Sequence, residues 1–395
     1  MNEKQYAVIN RNTFRVLPDR EAPEIPAYPV KLYIEPTSFC NLSCEMCFRK
    51  AWINESFGNI RTETVLSVMD EPIFLDFVET VFFGGMGEPL FHPEIMEMIR
   101  AAKDRGKKVE LITNGTSLRK NVCEKLVALG VDKVWVSIDS FDPDGYGKIQ
   151  VGSSFGEVVR NMELFNDIRR GSATKLGLTF VVMKSNIMQL TAFEHFADTI
   201  LADDVNISNM IPNTLAMEKE TLAYQTIFED YFYPHFYDKA KTQVAMIRMT
   251  VDDLAENPGI ERLLDRHRTL LWRGEPLLRQ ENSCRFINEG NCFIRWDGEV
   301  MPCMGLLHSA QTCLSGTVRT VMSHSFGSVY EKSFSEIWNS GAYRHFRDRV
   351  AAYNFAPCFY CGGCVRREGN ADDCISSDGP VCGACLWGQG IARCP

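Results

Sequence analysis

Blocks of apolar and polar positions follow one another along the first half of the chain and predict strands separated by helices. The strands are predicted at 30–35, 80–85, 108–115, 133–139, 175–183 and 204–210, and the helices at 61–77, 93–105, 118–129, 155–170 and 188–201. The strands are apolar throughout rather than at every second position, which is typical of a parallel sheet that helices cover. The pattern therefore predicts an α/β fold, a partial (β/α)6 TIM-like barrel.

The chain outside this barrel divides into three further segments. A short hairpin is predicted at 5–17, with its turn at 10–12, and a mostly helical, charged connection at 212–283. Most of the cysteines lie in the last segment. The predicted domains are an N-terminal extension at 1–29, a core barrel at 30–211, the connection at 212–283 and a cysteine-rich domain at 284–395.

Composition indicates the cellular environment of the protein and excludes some classes of partner. The chain has 395 residues, 45% of them apolar, with a net charge of −9 and an isoelectric point near 5.4. No strongly basic stretch occurs, so a nucleic-acid partner is not expected. No signal sequence or apolar run of roughly 18 residues is present, so we expect no membrane association and a cytoplasmic location. Cytoplasmic thiols stay reduced, so the 15 cysteines indicate metal binding or catalysis rather than disulfides.

Short polar or glycine-rich motifs follow the first four barrel strands. They are TSFCNLSCEMCFRK with Cys40, Cys44 and Cys47, then GGMGEP at 84–89, TNG at 113–115 and SIDS at 137–140. In barrels of this kind, the loops at the carboxyl ends of the strands carry the chemistry. The four motifs are therefore predicted to form one active site.

The three closely spaced cysteines indicate a metal centre with an open position. Iron–sulfur clusters are commonly held by four cysteine thiolates, so three of them leave one iron of a 4Fe–4S cluster free to bind a small molecule. A zinc site completed by a distant ligand is the alternative.

The CxxxCxxC spacing after the first barrel strand resembles the radical S-adenosylmethionine (SAM) family over about residues 30–210. The resemblance implies a 4Fe–4S cluster on Cys40, Cys44 and Cys47 whose open iron binds SAM. It further implies reductive cleavage of SAM to a 5′-deoxyadenosyl radical that abstracts a substrate hydrogen. The family usually has an aromatic residue before the third cysteine. Here that residue is Met46, and Phe48 is the candidate to contact the adenine instead.

The other three loops supply the remaining candidates for SAM binding. They are Gly84, Gly85, Gly87, Glu88, Asn114, Ser137 and Asp139. Glycines allow close backbone approach, and a carboxylate such as Glu88 balances a cationic ligand. The ordinary alternatives are a tight turn for the glycines and for Asn114, and helix capping for Ser137 and Asp139.

Eleven cysteines lie between Cys284 and Cys394 and predict further metal centres. The segment CFIRWDGEVMPC is predicted to form a hairpin with its turn at Asp297–Gly298, and the motifs CFYCGGC and CGAC follow it. Paired CxxC motifs place two thiolates on one metal, and zinc ribbons are the alternative to iron–sulfur clusters. Cys123 and Cys313 are predicted to be structural.

This region resembles the SPASM extension of radical SAM enzymes, which carries auxiliary 4Fe–4S clusters, one or two of which are expected here. The resemblance implies that the first is held by Cys284, Cys292, Cys303 and a later cysteine such as Cys374. It implies that the second is held by Cys358, Cys361, Cys364 and one of Cys382, Cys385 and Cys394.

Two comparisons bear on the substrate. Sulfatase maturases carry an Asp where this chain has Met304, and about 30 residues before the barrel are too few for a leader-binding domain. The closing motifs and CEMCFRKAW instead resemble maturases of tungsten-cofactor oxidoreductases. We therefore expect a protein, peptide or pterin-type cofactor as substrate, and a ferredoxin or flavodoxin as electron donor. A ribosomal-peptide maturase, or an iron–sulfur electron carrier or scaffold, is the alternative.

Overall fold

The N-terminal hairpin is present as predicted. The computed structural model describes residues 6–10, 13–17, 24–228, 244–249, 271–272, 275–276, 283–314, 316–356, 358, 364–375 and 377–394. Strands β1 (Tyr6–Asn10) and β2 (Thr13–Leu17) pair in antiparallel fashion, with Tyr6 opposite Leu17.

Six parallel strands form the centre of the molecule and confirm the predicted α/β fold. They are β3 (Lys31–Ile34), β4 (Thr80–Phe83), β5 (Lys108–Thr113), β6 (Lys133–Ser137), β7 (Lys175–Val182) and β8 (Asp204–Asn209). Each pairs with the next in chain order. The sheet is open rather than closed, with β8 at one edge. It is therefore a partial barrel, and the carboxyl ends of its strands lie along one rim.

Helices cover this sheet. They are α1 (Thr62–Met69), α2 (Pro72–Phe77), α3 (Ile95–Asp104), α4 (Lys120–Ala128), α5 (Pro143–Ile149), α6 (Phe155–Arg169) and α7 (Leu190–Thr199). The single helix predicted at 61–77 is wrong, because Pro72 forces Glu71 into an extended conformation (ψ 142°). Helix α5 was not predicted, although Asp142 before Pro143 is a typical helix start. The Asp142 carboxylate accepts a hydrogen bond from Gly145 N at 2.7 Å.

The connection at 212–283 differs from its helical prediction where the structure describes it. A 3-10 turn at Met217–Glu220 precedes strands β9 (Ala223–Phe228) and β10 (Val244–Met249), which pair with each other. Two short strands, β11 (Leu271–Trp272) and β12 (Glu275–Pro276), pair further on. The remainder of this prediction lies outside the described residues.

The cysteine-rich region joins the barrel sheet directly. The hairpin predicted at Asp297–Gly298 is formed by β13 (Asn291–Ile294) and β14 (Val300–Met301), and β13 pairs in parallel with β3. The eight-stranded sheet thus runs β14-β13-β3-β4-β5-β6-β7-β8. The remaining elements are α8 (Arg285–Asn288), β15 (Ala310–Leu314), β16 (Thr317–Val321), α9 (Phe334–Trp338) and α10 (Gly341–Ala351).

One apolar core runs through both parts of the chain. It extends from strand residues such as Leu32 and Phe83, both fully buried, to Phe293 and Trp338 of the cysteine-rich region. Cys123 is buried in this core on α4, as predicted for a structural cysteine. No helix in the described parts of the chain is long and apolar enough to cross a membrane.

Candidate active site

The loop after β3 brings Cys40, Cys44 and Cys47 into one neighbourhood. Backbone hydrogen bonds fix the loop to the end of α5 and the residues after it: Ser43 N donates to Val151 O and Glu45 N to Ile149 O, both at 2.9 Å. Cys47 then begins a 3-10 turn at Phe48–Ala51. All three thiols are partly buried at this rim of the barrel.

The chemistry of these thiols fits a metal–sulfur cluster. Burial raises the pKa of all three thiols. The negative charges of Asp139, Cys47 and Cys40 raise the pKa of Cys44 further, so the three sulfurs lie within each other's electrostatic range. Three neighbouring thiolates repel one another unless a positively charged metal centre binds them. No three His, Cys, Asp or Glu side chains of the described residues converge on a single metal ion. Thiolates of a four-iron cluster each bind a different iron and need not converge in that way.

The GGMGEP loop packs tightly against the cysteine loop, which explains its glycines. Gly84 N donates to Ile34 O and Glu88 N to Phe39 O, at 2.9 and 2.8 Å. A Cβ on Gly87 would overlap the carbonyl of Thr37, so a larger residue could not occupy this position. Gly85 has φ +158°, and a Cβ there would lie 2.6 Å from the Glu35 side chain. The glycines of this loop therefore allow close contact with the Thr37 backbone and with the Glu35 side chain.

Glu88 lies beneath the cysteine loop, with both carboxylate oxygens already hydrogen-bonded. Oε2 accepts from Asn114 N at 2.8 Å and Oε1 from Leu90 N at 3.2 Å. The side chain is 2% exposed, and burial raises its pKa to about 7 despite these hydrogen bonds. Contact between Glu88 and the SAM ammonium remains a prediction. The structure adds a second role, which is to hold the turn at Asn114.

We expect Glu88→Gln to weaken SAM binding without loss of iron. An ammonium–carboxylate pair in a partly dry site contributes roughly 1–3 kcal/mol. The carboxylate is charged above its pKa of about 7 and neutral below it. The affinity of the unaltered enzyme for SAM should therefore rise between about pH 6 and about pH 8, and that of the variant should not. Anaerobic equilibrium dialysis with labelled SAM measures both. The exposed Glu124→Gln is the control, and an unchanged affinity in Glu88→Gln would leave Glu88 a structural role.

The TNG turn is bonded to the cysteine loop through Asn114. Its Nδ2 donates to Asn41 Oδ1 at 2.9 Å and approaches Cys40 Sγ at 3.8 Å. Thr116 closes the group, since its hydroxyl donates to Asn114 Oδ1 at 2.6 Å and accepts from Asn41 Nδ2 at 3.0 Å. Asn114 therefore holds the cysteine loop through Asn41, in addition to its own turn.

Ser137 and Asp139 lie at the end of β6, on the Cys44 side of the site. Asp139 is fully buried, and its Oδ1 accepts from Val181 N at 2.8 Å while Oδ2 accepts from the Ser137 hydroxyl at 3.3 Å. Burial raises the pKa of Asp139 to about 7. Neither side chain caps a helix here. Their contact with the ribose hydroxyls stays a prediction, as does the adenine contact of Phe48, whose ring lies 6.0 Å from that of Trp387.

Five cysteines line one enclosed cavity between α8 and the C-terminal segment. They are Cys284, Cys303, Cys382, Cys385 and Cys394. Burial raises the pKa of Cys303 well above its usual value, and the neighbouring Cys284, Cys385 and Cys382 add to the effect. The Arg319 side chain lies beside this cavity and donates to Ala384 O and Gly369 O. A half-buried cation beside several thiols fits an anionic metal–thiolate centre such as an iron–sulfur cluster.

The other predicted auxiliary ligands lie elsewhere. Cys292 is fully buried on β13, where the neighbouring charge is that of Arg347, and it does not line the five-cysteine cavity. Cys374 is exposed and Cys364 is half-buried. Cys358 packs in a small apolar cluster with Ile211 and Leu386. Cys361 lies outside the described residues, so the predicted second ligand set cannot be assembled from the others alone. Cys313 is buried, as expected for a structural cysteine.

A buried ionic network connects the two parts of the chain, and the sequence did not reveal it. His308 Nε2 lies 2.9 Å from Glu35 Oε2, and its Nδ1 lies 2.9 Å from Glu55 Oε2. Glu35 also accepts from Met86 N of the GGMGEP loop at 2.8 Å. The one indication of this network in the sequence was the position of Glu35, directly after β3 and just before the cysteine loop. The network thus fixes the GGMGEP loop from the cysteine-rich side.

We expect His308→Ala to lower the stability by about 3–5 kcal/mol, because it leaves the fully buried carboxylate of Glu35 without its charged partner. Burial lowers the pKa of His308, but hydrogen bonds to Glu35 and Glu55 outweigh this effect and raise it overall. The stabilisation is therefore complete below about pH 6.5, the usual histidine value, and is lost as the pH rises through the higher folded value. Anaerobic thermal unfolding across pH measures this loss. The exposed His195→Ala should change neither the midpoint nor its pH dependence; equal behaviour of the two variants would contradict the prediction.

The comparisons with known proteins agree with this site. Residues 34–184 match the radical SAM superfamily, and residues 284–365 match SPASM, an iron–sulfur cluster-binding domain. The chain is 30% identical to the tungsten-containing aldehyde ferredoxin oxidoreductase cofactor-modifying protein of Pyrococcus furiosus, over 92% of this chain and 96% of that protein. The chain belongs to the radical SAM superfamily.

Other radical SAM proteins show how widely the family ranges. The chain is 25% identical to the PqqA peptide cyclase of Granulibacter bethesdensis, over 86% of this chain and 80% of that protein. The crystal structure of SuiB from Streptococcus suis bound to SAM superposes with a TM-score of 0.55 at 18% identity, over 86% of this chain and 72% of that chain. This last likeness shows the shared fold.

The predicted family, fold class and cofactors are thereby confirmed. The protein is a radical SAM enzyme that uses a SAM-binding 4Fe–4S cluster and cleaves SAM reductively, and its C-terminal SPASM domain binds auxiliary iron–sulfur clusters.

Proposed function

We propose that this enzyme modifies the pterin-type cofactor of a tungsten-containing aldehyde ferredoxin oxidoreductase, or the enzyme that carries that cofactor. The observation that carries the proposal is the 30% identity to the Pyrococcus furiosus cofactor-modifying protein. The similarity extends over 92% of this chain and 96% of that protein, so it includes the barrel, the connection and the SPASM region. A similarity confined to the barrel would support the shared SAM chemistry alone.

Within this proposal, Cys40, Cys44 and Cys47 hold the SAM-binding cluster, and the core barrel occupies 30–211. When bound, the cluster would supply the one electron that cleaves SAM into methionine and the 5′-deoxyadenosyl radical. The surrounding residues orient the reactants. Asn114 fixes the cysteine loop through Asn41, and Glu88 fixes Asn114 from below.

The SPASM region at 284–395 supplies the auxiliary centres. We assign one cluster to the cavity lined by Cys284, Cys303, Cys382, Cys385 and Cys394, because these thiols share one enclosed space. A second cluster would draw on Cys358, Cys361 and Cys364. A ferredoxin or flavodoxin in the cytoplasm is the proposed electron donor, since reductive cleavage of SAM needs one electron for each event.

Modification of a peptide is the second candidate, and the similarity to the PqqA peptide cyclase supports it. That similarity covers 86% of this chain, but at 25% identity. The two candidates differ in substrate and share the SAM chemistry, so SAM cleavage alone does not separate them.

Substrate-dependent cleavage of SAM tests the proposal. The anaerobically reconstituted enzyme is incubated with dithionite and SAM, with and without the pterin-type cofactor released from a tungsten oxidoreductase. We expect the cofactor to stimulate formation of 5′-deoxyadenosine and to change in mass. The variant lacking Cys40, Cys44 and Cys47 controls for non-enzymatic change. Stimulation by a peptide, with the cofactor unaltered, would favour the second candidate.

A further inference from the structure

Arg49 is a cation without a partner beside the cysteine loop. It lies two residues after Cys47, in the 3-10 turn Phe48–Ala51. Its Nε is buried and has no hydrogen-bond acceptor. The neighbouring Lys50 is paired with Glu45 at 2.8 Å, whereas no ion pair of Arg49 occurs in the part of the chain that the structure describes. The guanidinium thus has no hydrogen-bond or ion-pair partner among the described residues and is available to bind a ligand.

Aromatic rings lie around this guanidinium, and two of them, Phe39 and Phe57, are exposed to solvent. Arg49 Cζ lies 5.6 Å from the centroid of the Phe57 ring and 6.0 Å from that of Trp52. The Phe57 ring lies 5.4 Å from Trp52 and 5.9 Å from Phe39. Phe39 is 46% exposed and Phe57 49% exposed. We call Phe39, Arg49, Trp52 and Phe57 the aromatic mouth; exposed aromatic faces grouped in this way are typical of a binding surface.

Two further buried donors, both indole N–H groups, also lack a hydrogen-bond acceptor. The indole Nε1 atoms of Trp52 and Trp296 are both buried without an acceptor. Trp296 packs on Gly58, the residue after Phe57, where a Cβ would overlap its ring. Two indole N–H groups and one guanidinium N–H of these side chains thus lack acceptors. This part of the molecule offers donors, so it favours a ligand that presents oxygen acceptors over one that presents further donors.

We propose that the aromatic mouth binds a flat heteroaromatic ring that carries a phosphate. The inference rests on the proposed function, under which the ligand is a pterin phosphate. Stacking on the exposed rings of Phe39 and Phe57 would hold the ring. The guanidinium of Arg49 would bind the phosphate through charge-assisted hydrogen bonds, for which its planar fork is well shaped. Arg49 lies in the turn that follows Cys47, so the ring would lie beside the reaction centre.

The SAM carboxylate is the competing partner for Arg49, because SAM binds in the same loop region. The two possible ligands predict opposite effects of replacing Arg49. If Arg49 binds the pterin phosphate, its loss weakens binding of the phosphorylated ring and spares SAM. If Arg49 binds SAM, its loss weakens SAM and spares the ring.

The test compares two probes on the reconstituted enzyme by anaerobic equilibrium dialysis. The probes are neopterin monophosphate and neopterin, which differ by the phosphate. We expect Arg49→Gln to weaken binding of the phosphate ester about tenfold or more and to leave neopterin within about twofold, since charged hydrogen bonds contribute most of the difference. Arg49→Lys should recover part of the loss, and Phe57→Ala should weaken both probes. The exposed Arg170→Gln, remote from the mouth in a surface pair with Asp167, is the matched control.

Iron content and SAM affinity, measured on the same samples, show whether each variant is intact. Two results would overturn the inference while leaving the proposed function in place. One is binding of neopterin monophosphate that Arg49→Gln does not change. The other is a loss of SAM affinity in that variant in place of a loss of phosphate affinity. Failure of the unaltered enzyme to bind either pterin, with binding of an acidic peptide instead, would overturn the proposed function along with the inference.

Discussion

Replacing Cys40, Cys44 and Cys47 together with alanine is expected to abolish SAM cleavage while the auxiliary iron stays bound. The three thiols are the sulfur donors of the loop after β3, and the auxiliary cavity is lined by other cysteines. If three four-iron clusters are present, the total iron should fall by about a third. Anaerobic reconstitution with dithionite and SAM, followed by chromatography of 5′-deoxyadenosine, measures activity, and a colorimetric iron assay measures the loss.

Cys123→Ala is the matched control, because this thiol lies on α4 in the barrel core and away from the rim. It should retain all of the iron and form 5′-deoxyadenosine at the unaltered rate. Continued formation of 5′-deoxyadenosine by the triple variant would show that the SAM-binding cluster is held elsewhere. Loss of all iron from the triple variant would instead mean that the auxiliary centres depend on the barrel loop.

The six barrel strands could be predicted because each carries its own local signal. Strands such as β4 and β6 have no exposed position, so the continuous apolar run identifies them without reference to their neighbours. Their carboxyl ends then share one rim, which is why the four motifs could be placed in one site. The prediction was wrong where one residue overrode the pattern, as Pro72 does between α1 and α2.

Pairings between distant parts of the chain carried no such signal. Strand β13 was recognised as part of a hairpin, but its parallel pairing with β3 joins residues about 260 positions apart along the sequence. The contact of His308 with Glu35 spans 273 positions. Both arise because the SPASM region folds against the first barrel strand. A single histidine or a short apolar run does not specify such a partner.

The grouping of the auxiliary cysteines was unpredictable for the same reason. The spacing of CxxC motifs shows that two thiols can share a metal, but it does not show which motifs meet. Here the last segment returns to the barrel: Asn209 Nδ2 donates to Ile391 O at 3.0 Å, and Arg393 N donates to Ser208 Oγ at 2.9 Å. This return places Cys394 in the same cavity as Cys284, whereas the family resemblance implied Cys292 and a later cysteine such as Cys374 as partners of Cys284.

Replacing Cys382 and Cys385 with alanine in the triple variant is therefore expected to remove one auxiliary cluster. Both thiols line the five-cysteine cavity, and the turn between them is closed by Cys385 N donating to Cys382 O at 2.9 Å. If two auxiliary clusters are present, about half of the remaining iron should be lost, since four-iron clusters carry equal iron. Cys313→Ala, which lies on β15 outside this cavity, should lose none.

Loss of this cluster should also weaken the fold around it. The cavity is enclosed by apolar side chains such as Phe286, Phe346 and Val350, which pack around the thiols. Without metal, burial raises the pKa of Cys284, Cys303 and Cys382, so these thiols would stay protonated and offer one another little attraction. Arg319 would then lie beside neutral thiols with no anionic centre to balance it. Metal binding in such a site is coupled to folding, so the thermal midpoint should fall together with the iron.

The same variants separate iron–sulfur clusters from a zinc ribbon. Zinc is redox-inert, whereas iron–sulfur clusters are coloured and reducible. The triple variant should stay brown and show reducible 4Fe–4S signals by electron paramagnetic resonance, and the further loss of Cys382 and Cys385 should diminish those signals. Cys374→Ala tests which cysteines hold this cluster: those that line the five-cysteine cavity, or the set with Cys292 and Cys374 that the resemblance implied. We expect it to keep the cluster of the five-cysteine cavity because its thiol is exposed and does not line that space. A colourless triple variant with stoichiometric zinc would show that the SPASM cavity is a structural zinc site.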